Sequence, residues 1–215
     1  MRGHDAQGKK PSMRDYSRLD AFLSTLADDL RPEPPFEPHV TITRRMIGHL
    51  LESGAIRPGM RVLDIGCGQG LALRAFLAAG LQATGITLGG EDCAICQAQG
   101  FDVLEMDQNF MTFPDECFDV LWCRHVLEHS VAPMFTVSEY ARVLRRGGIA
   151  YIEVPAPDTE AEHEKGRSHY SILPLSVWLN LFQRCGFAVI VQQNLDFVVP
   201  RGRDRYLCFV LARRP

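Results

Sequence analysis

Val62-Leu63-Asp64-Ile65-Gly66-Cys67-Gly68-Gln69-Gly70 is an apolar run that ends in three glycines at alternate positions. Val62, Leu63 and Ile65 suit a strand covered on both faces, as in a parallel sheet. Gly66, Gly68 and Gly70 remove the Cβ atoms that would keep a ligand away from the turn. Leu71, Leu73, Phe76 and Leu77 then resume at helical spacing, and Gly80 supplies the stop. A ligand across this turn would meet bare backbone and the positive end of a helix. The segment reads as a strand, a cofactor-binding turn and a helix, suited to a nucleoside-bearing molecule.

Outward from this turn, strands and helices alternate. Gln82 to Thr87 reads as a second strand and Glu91 to Gln99 as a helix closed by Gly100. Phe101 to Met106, Phe118 to Cys123 and Ile149 to Val154 read as the next three strands. Pro133 opens a helix whose face carries Val137, Tyr140, Ala141 and Leu144, with Arg145 and Arg146 in its last turn before Gly147-Gly148. Pro174 opens another with Trp178, Leu181, Phe182 and Cys185 inward. Phe187 to Gln192 and Tyr206 to Ala212 are the last strands, too close for a helical crossover, so an antiparallel hairpin is expected at the sheet edge. Upstream, a helix around Thr41 to Ser53 turns Met46, Ile47, Leu50 and Leu51 inward. The proline-rich stretch Arg31 to Pro38 reads as a stiff connector, preceded by an amphipathic helix from Tyr16 to Leu30 and a polar tail.

The expected architecture is a three-layer Rossmann-like α/β sandwich, with a seven-stranded, mostly parallel sheet and an antiparallel last strand. Residues 1–40 form an N-terminal tail and lid helix, and 41–215 the ligand-binding domain. A chain of 215 residues with 46% apolar content can bury a sizeable core. Its net charge of -3 advertises no nucleic-acid surface. No apolar run is long enough to span a bilayer, and the start lacks a signal-peptide core, so a cytoplasmic protein is expected. Cys93-Ala94-Ile95-Cys96 lies in a predicted helix with no second pair at ligand spacing, and no metal site is expected.

The glycine spacing separates two cofactor readings. A dinucleotide fingerprint runs Gly-x-Gly-x-x-Gly, whereas Asp64-Ile65-Gly66-Cys67-Gly68-Gln69-Gly70 has Gly-x-Gly-x-Gly with an acidic residue two places earlier. This resembles the first motif of class I S-adenosylmethionine (SAM) dependent methyltransferases, and the broad type 11 group is the nearest resemblance within them. The likeness covers roughly Thr41 to Arg213, including the antiparallel ending. It implies SAM as cofactor and S-adenosylhomocysteine as product. Asp64 would support the methionine end, and Gly66, Cys67 and Gly68 would pass beneath it.

Ligand contacts are expected just beyond the strand ends. The family usually carries an acidic ribose ligand after the second strand; here the chain reads Gly85-Ile86-Thr87-Leu88-Gly89-Gly90-Glu91-Asp92. Gly-Ile-Thr-Leu resembles cyclopropane fatty acid synthases, which implies that Thr87, Leu88 and Asp92 approach the nucleoside. Equally, Thr87 packs and Glu91 and Asp92 favour the next helix N-terminus. Beyond the third strand the resemblance makes Asp107 the acceptor for the adenine amino group, with Met106 and Gln108 beside it.

Cys123-Arg124-His125-Val126-Leu127-Glu128-His129 follows the fourth strand. His125-x-x-Glu128-His129 matches an inverted zinc-protease pattern, which requires a helix that the preceding strand argues against. Many small-molecule methyltransferases carry Leu-Glu-His here. The resemblance then places Arg124 at the cofactor through its backbone and His125 towards the transferred methyl. Histidine suits proton removal near neutral pH, so His125 and then His169 are the expected bases. Tyr16, His129, His163 and Tyr170 are expected to line the acceptor site. The stretch Glu160 to Ser171 reads either as a functional loop or as a solvated linker.

The leading expectation is methyl transfer from SAM to the oxygen, nitrogen or carboxylate of a polar small molecule. A non-catalytic SAM-binding partner and a cyclopropane-synthase-like lipid modifier are the rivals. The N-terminal helix would close the opening as a lid or pair two copies.

Overall fold

The computed structural model describes residues 15–27 and 37–215. The chain forms two compact units, Met1–Leu30 and Arg31–Pro215. Within the first, α1 spans Ser17–Ala27, with Leu19 and Phe22 of its apolar stripe exposed. Leu30 and most of the proline-rich connector lie outside the described residues.

The second unit holds α2 (His39–Glu52), β1 (Arg61–Ile65), α3 (Leu71–Ala78), β2 (Gln82–Thr87), α4 (Gly90–Ala98), β3 (Asp102–Glu105) and β4 (Phe118–Arg124). After β4 come α5 (Pro133–Val143), β5 (Leu144–Pro155), α6 (Leu175–Arg184), β6 (Phe187–Val199) and β7 (Gly202–Arg213). The sheet order is β3-β2-β1-β4-β5-β7-β6, parallel throughout except for β7, which runs antiparallel to both its neighbours. This is the expected three-layer α/β sandwich.

The period of two along each strand divides the core. Val62, Val120, Trp122 and Tyr151 face α2, α3 and α4. Leu63, Ile65, Leu121, Cys123, Ala150 and Ile152 face α5 and α6. Trp122 stacks on Tyr151 at 4.4 Å between ring centres, and Phe76 of α3 meets Trp122 edge-on at 5.6 Å. Such fully buried apolar side chains stabilise the sandwich by roughly 1.5–3 kcal/mol each. Cys93 and Cys96 lie in this core, where the Cys96 thiol donates to Gly68 O at 3.2 Å, and all seven cysteines are free.

Two elements differ from the sequence reading. The fifth helix stops at Val143, and Arg145 and Arg146 already belong to β5, because Leu144 pairs with Phe118 of β4. Their charges meet carboxylates rather than a helix terminus: Arg145 binds Asp119 at 2.6 Å and Arg146 lies 3.5 Å from Glu116. The terminal hairpin is much longer than expected. Its strands pair from Phe187↔Arg213 to Val199↔Gly202, leaving only Pro200-Arg201 between them. Polar residues such as Gln192, Asn194 and Asp196 fit an edge strand with little burial, so no apolar run announced them.

Candidate active site

The glycine turn is built by backbone constraint. Gly66, Gly68 and Gly70 have φ of 69°, 48° and 81°, where side chains bring strain. A Cβ on Gly66 would lie 2.2 Å from Val126, and one on Gly70 2.7 Å from Phe101. Gly68 faces open space. The turn is pinned to β2 by the Gly66 and Cys67 N–H groups, which both donate to Ile86 O.

Two buried carboxylates flank this opening, each with an oxygen that has no hydrogen-bond partner: Asp64 Oδ2 and Asp92 Oδ1. Burial pushes the Asp64 carboxyl up to about 8. A cationic α-amino group would supply the missing partner for Asp64, and ribose hydroxyls can donate to Asp92. Asp92, on α4, is the first buried carboxylate after β2. Thr87 is buried and accepts from the Gly89 N–H at 3.3 Å, while Leu88 is exposed. Asp107 Oδ1 accepts from the Asn109 backbone and side chain at 2.7 and 2.8 Å, leaving Oδ2 for a ligand donor. Met106 packs against the core edge.

Two expected cofactor contacts use their side chains otherwise. Gln108 is a brace: its amide donates to Val126 O at 3.0 Å and its carbonyl accepts from Tyr140. Arg124 turns towards α2, reaching Glu153 Oε1 at 2.7 Å and Thr43 Oγ1 at 2.8 Å.

Beside this opening, at the carboxyl ends of β4 and β5, five histidines gather: His39, His125, His129, His163 and His169. β7 contributes because it is antiparallel; its first residues lie beside the end of β5, with Tyr206 opposite Pro155. The rings of His39 and Tyr206 lie 4.9 and 4.1 Å from that of His125. Further along, His169 is 5.0 Å from His129 and 5.8 Å from His163.

His125, expected as a base, faces a carboxylate at each ring nitrogen. It sits in the left-handed region at φ 57°, a strained position of the kind that clusters at functional sites. Its Nε2 lies 2.9 Å from Glu153 Oε1 and its Nδ1 3.5 Å from Glu128 Oε1. A carboxylate at each nitrogen favours the ring that carries both protons, the form with no lone pair to offer. Burial works against that charge, but the bonds to Glu128 and Glu153 outweigh it and raise the pKa. Burial likewise opposes ionisation of Glu153, yet His125 and Arg124 draw it down to about 2. Sequence spacing gave no sign of Glu153, which β5 brings from 28 residues downstream.

The loop after β5 is folded down rather than solvated. His129 Nδ1 bonds to Ser168 O at 2.8 Å, and the Tyr170 and Ser171 N–H groups both donate to Glu128 O. His163 Nε2 donates to both oxygens of buried Asp204, at 2.9 and 3.0 Å. His169 donates Nδ1–H to His163 O at 2.8 Å, and burial lowers its pKa. His163, His129, His169 and Tyr170 are thus brought together. Tyr16 is exposed and belongs to the N-terminal unit. Asp204 was missed from sequence because nothing in Gly202-Arg203-Asp204-Arg205 separates it from a solvated turn.

The comparisons agree with this construction. Residues 63–152 match the family model described as a methyltransferase domain. The ubiquinone biosynthesis O-methyltransferase of Bordetella bronchiseptica is 29% identical over 203 residues, covering 91% of this chain and 75% of that protein. The 27-O-demethylrifamycin SV methyltransferase of Amycolatopsis mediterranei is 30% identical over 151 residues, 62% of this chain and 56% of its own. A SAM-dependent methyltransferase structure from Methanosarcina mazei superposes with a TM-score of 0.66, covering 76% of this chain and 97% of that one at 14% identity. The [4+2]-cyclase SpnF has the same fold, with a TM-score of 0.68 at 19% identity over 93% and 94% of the two chains.

The chain carries a methyltransferase domain over residues 63–152 and has the fold of SAM-dependent methyltransferases. It is an enzyme whose cofactor is SAM, and among its described residues no helix is long and apolar enough to cross a membrane.

Proposed function

We propose that this enzyme methylates a hydroxyl oxygen of a small polar acceptor, with His163 as the proton acceptor. Bound SAM supplies an electrophilic methyl on a sulfonium, leaving alignment and proton removal to the protein. Asp64 would hold the amino end, Asp92 the ribose and Asp107 the adenine amino group, with Gly68 giving the cofactor its passage.

The observation that carries the acceptor reading is the Asp204–His163 pair. A buried carboxylate on Nε2 fixes that proton, so Nδ1 is the acceptor, and places negative charge against the imidazolium once it forms. His163 and the ring of Tyr206 belong to the same wall as His169. The relatives whose names specify oxygen methylation support hydroxyl over amine. Segment 1–40, with its exposed Leu19 and Phe22, would serve as a lid or as a contact between two copies.

The test is turnover of SAM with a panel of hydroxylated acceptors, reading S-adenosylhomocysteine and a methylated product by mass spectrometry. His163→Ala should lower kcat by roughly 10²–10⁴ while SAM affinity stays unchanged. Tight SAM binding with no product from any acceptor would favour the non-catalytic binding reading. Turnover unaffected by His163→Ala would remove His163 from the mechanism.

A further inference from the structure

Glu128 Oε2 is buried and has no hydrogen-bond partner, although Oε1 of the same carboxylate faces His125. Only 1% of the Glu128 side chain is exposed, so bulk water does not reach that oxygen. A buried carboxylate oxygen left without a donor is costly, which makes it a marker for an absent cation.

Two histidines, His129 and His169, stand beside this carboxylate. His129 and His169 each use Nδ1 on a backbone carbonyl, Ser168 O and His163 O, both at 2.8 Å. A carbonyl only accepts, so each Nδ1 carries the proton and each Nε2 presents a lone pair. One ligand atom from each of Glu128, His129 and His169 lies within 4.8 Å of the others. With both Nδ1–H groups spent on carbonyls, the three residues offer one another acceptors and no donor.

We propose that Glu128, His129 and His169 bind a divalent transition-metal ion of the zinc class. Two imidazoles and one carboxylate suit that class, and three protein ligands leave a coordination position open. The carbonyl bonds at the two Nδ1 atoms are the outer contacts that orient metal-binding histidines. The site differs from the protease pattern noted in the sequence: His125 is engaged by Glu153, and the third ligand comes from the loop after β5. It lies beside the His163–Asp204 pair, so a bound ion would face the acceptor and offer its open position to an acceptor oxygen. The proposal runs against the sequence-based expectation of no metal and does not depend on which nitrogen accepts the proton.

The full chain, freed of metal with a chelator, is titrated calorimetrically with Zn²⁺ and spectroscopically with Co²⁺. One equivalent should bind in the micromolar range or tighter, with a Co²⁺ spectrum lacking a thiolate charge-transfer band. His129→Ala and His169→Ala should each weaken binding by roughly 100-fold or more, whereas His49→Ala, an exposed histidine elsewhere, should not. SAM titration of every variant reports folding separately, so loss of metal binding with SAM binding intact supports the site. Binding no tighter than millimolar, or undiminished in the His129/His169 double variant, overturns it. Acceptor turnover is a separate readout; its failure alone would count against the methylation reading and leave the metal result standing.

Discussion

Asp204 at the start of β7 holds His163 of the β5–α6 loop through both carboxylate oxygens, 2.9 and 3.0 Å from Nε2. The pair joins residues 41 positions apart and exists because β7 runs antiparallel to β5. Asp204 is ionised in the fold: burial opposes its charge, but the His163 bond holds its carboxyl below the usual range. Asp204→Asn keeps the shape and removes the negative charge. It should lower kcat by roughly 10–10³ with little change in SAM affinity. A rate equal to the parent would reduce the pair to a loop clasp.

Asp64 should set stability against cofactor binding. Its folded carboxyl is raised to about 8 from 3.8, so the fold favours the protonated form. Its contribution is fully present below pH ~4 and is lost as pH rises towards ~8, where the buried charge must be borne. Asp64→Asn should match the parent near pH 4 and exceed it in apo stability at pH 8, by on the order of a few kcal/mol. SAM affinity should fall at the same time. Thermal melts at both pH values, with and without SAM, measure this; a variant less stable at pH 8 would contradict it.

Glu153 behaves in the opposite sense. Its folded pKa is about 2 against an ordinary 4.5, so its stabilisation is present above pH ~4.5 and disappears as pH falls towards ~2. Arg124→Met leaves that carboxylate buried with one fewer partner. The expected cost is about 3–5 kcal/mol at neutral pH, read by urea unfolding. The deficit should shrink in acid as Glu153 protonates.

The glycine turn separates folding from binding. Gly66→Ala places a Cβ 2.2 Å from Val126 and should destabilise the whole domain. Gly68→Ala meets no neighbour, so it should cost only about 1–2 kcal/mol of backbone strain while reducing SAM affinity at least tenfold. Equal affinity in parent and Gly68→Ala would move the cofactor away from the turn.

What the sequence determined by itself was local. Period-two burial made β1, β4 and β5, helical spacing made α2, α3 and α6, and left-handed glycines fixed the turn beyond β1. The likeness of Asp64 to Gly70 to a known motif carried the cofactor. These features depend on neighbours within a few residues, so the chain displays them directly. The end of α5 was misread because Leu144 belongs to a sheet partner, Phe118, rather than to the helix behind it.

The histidine chamber was decided by tertiary structure. His125 had the right residue type and place for a base, yet Glu153, arriving from β5, puts a second carboxylate against its ring. Asp204 and Asp92 are buried by the fold, which turns ordinary carboxylates into groups that must find a partner. His129 and His169 acquired defined tautomers only when the loop after β5 laid backbone carbonyls against them. A side chain's charge state and open nitrogen depend on what packs around it, and those neighbours come from distant parts of the chain.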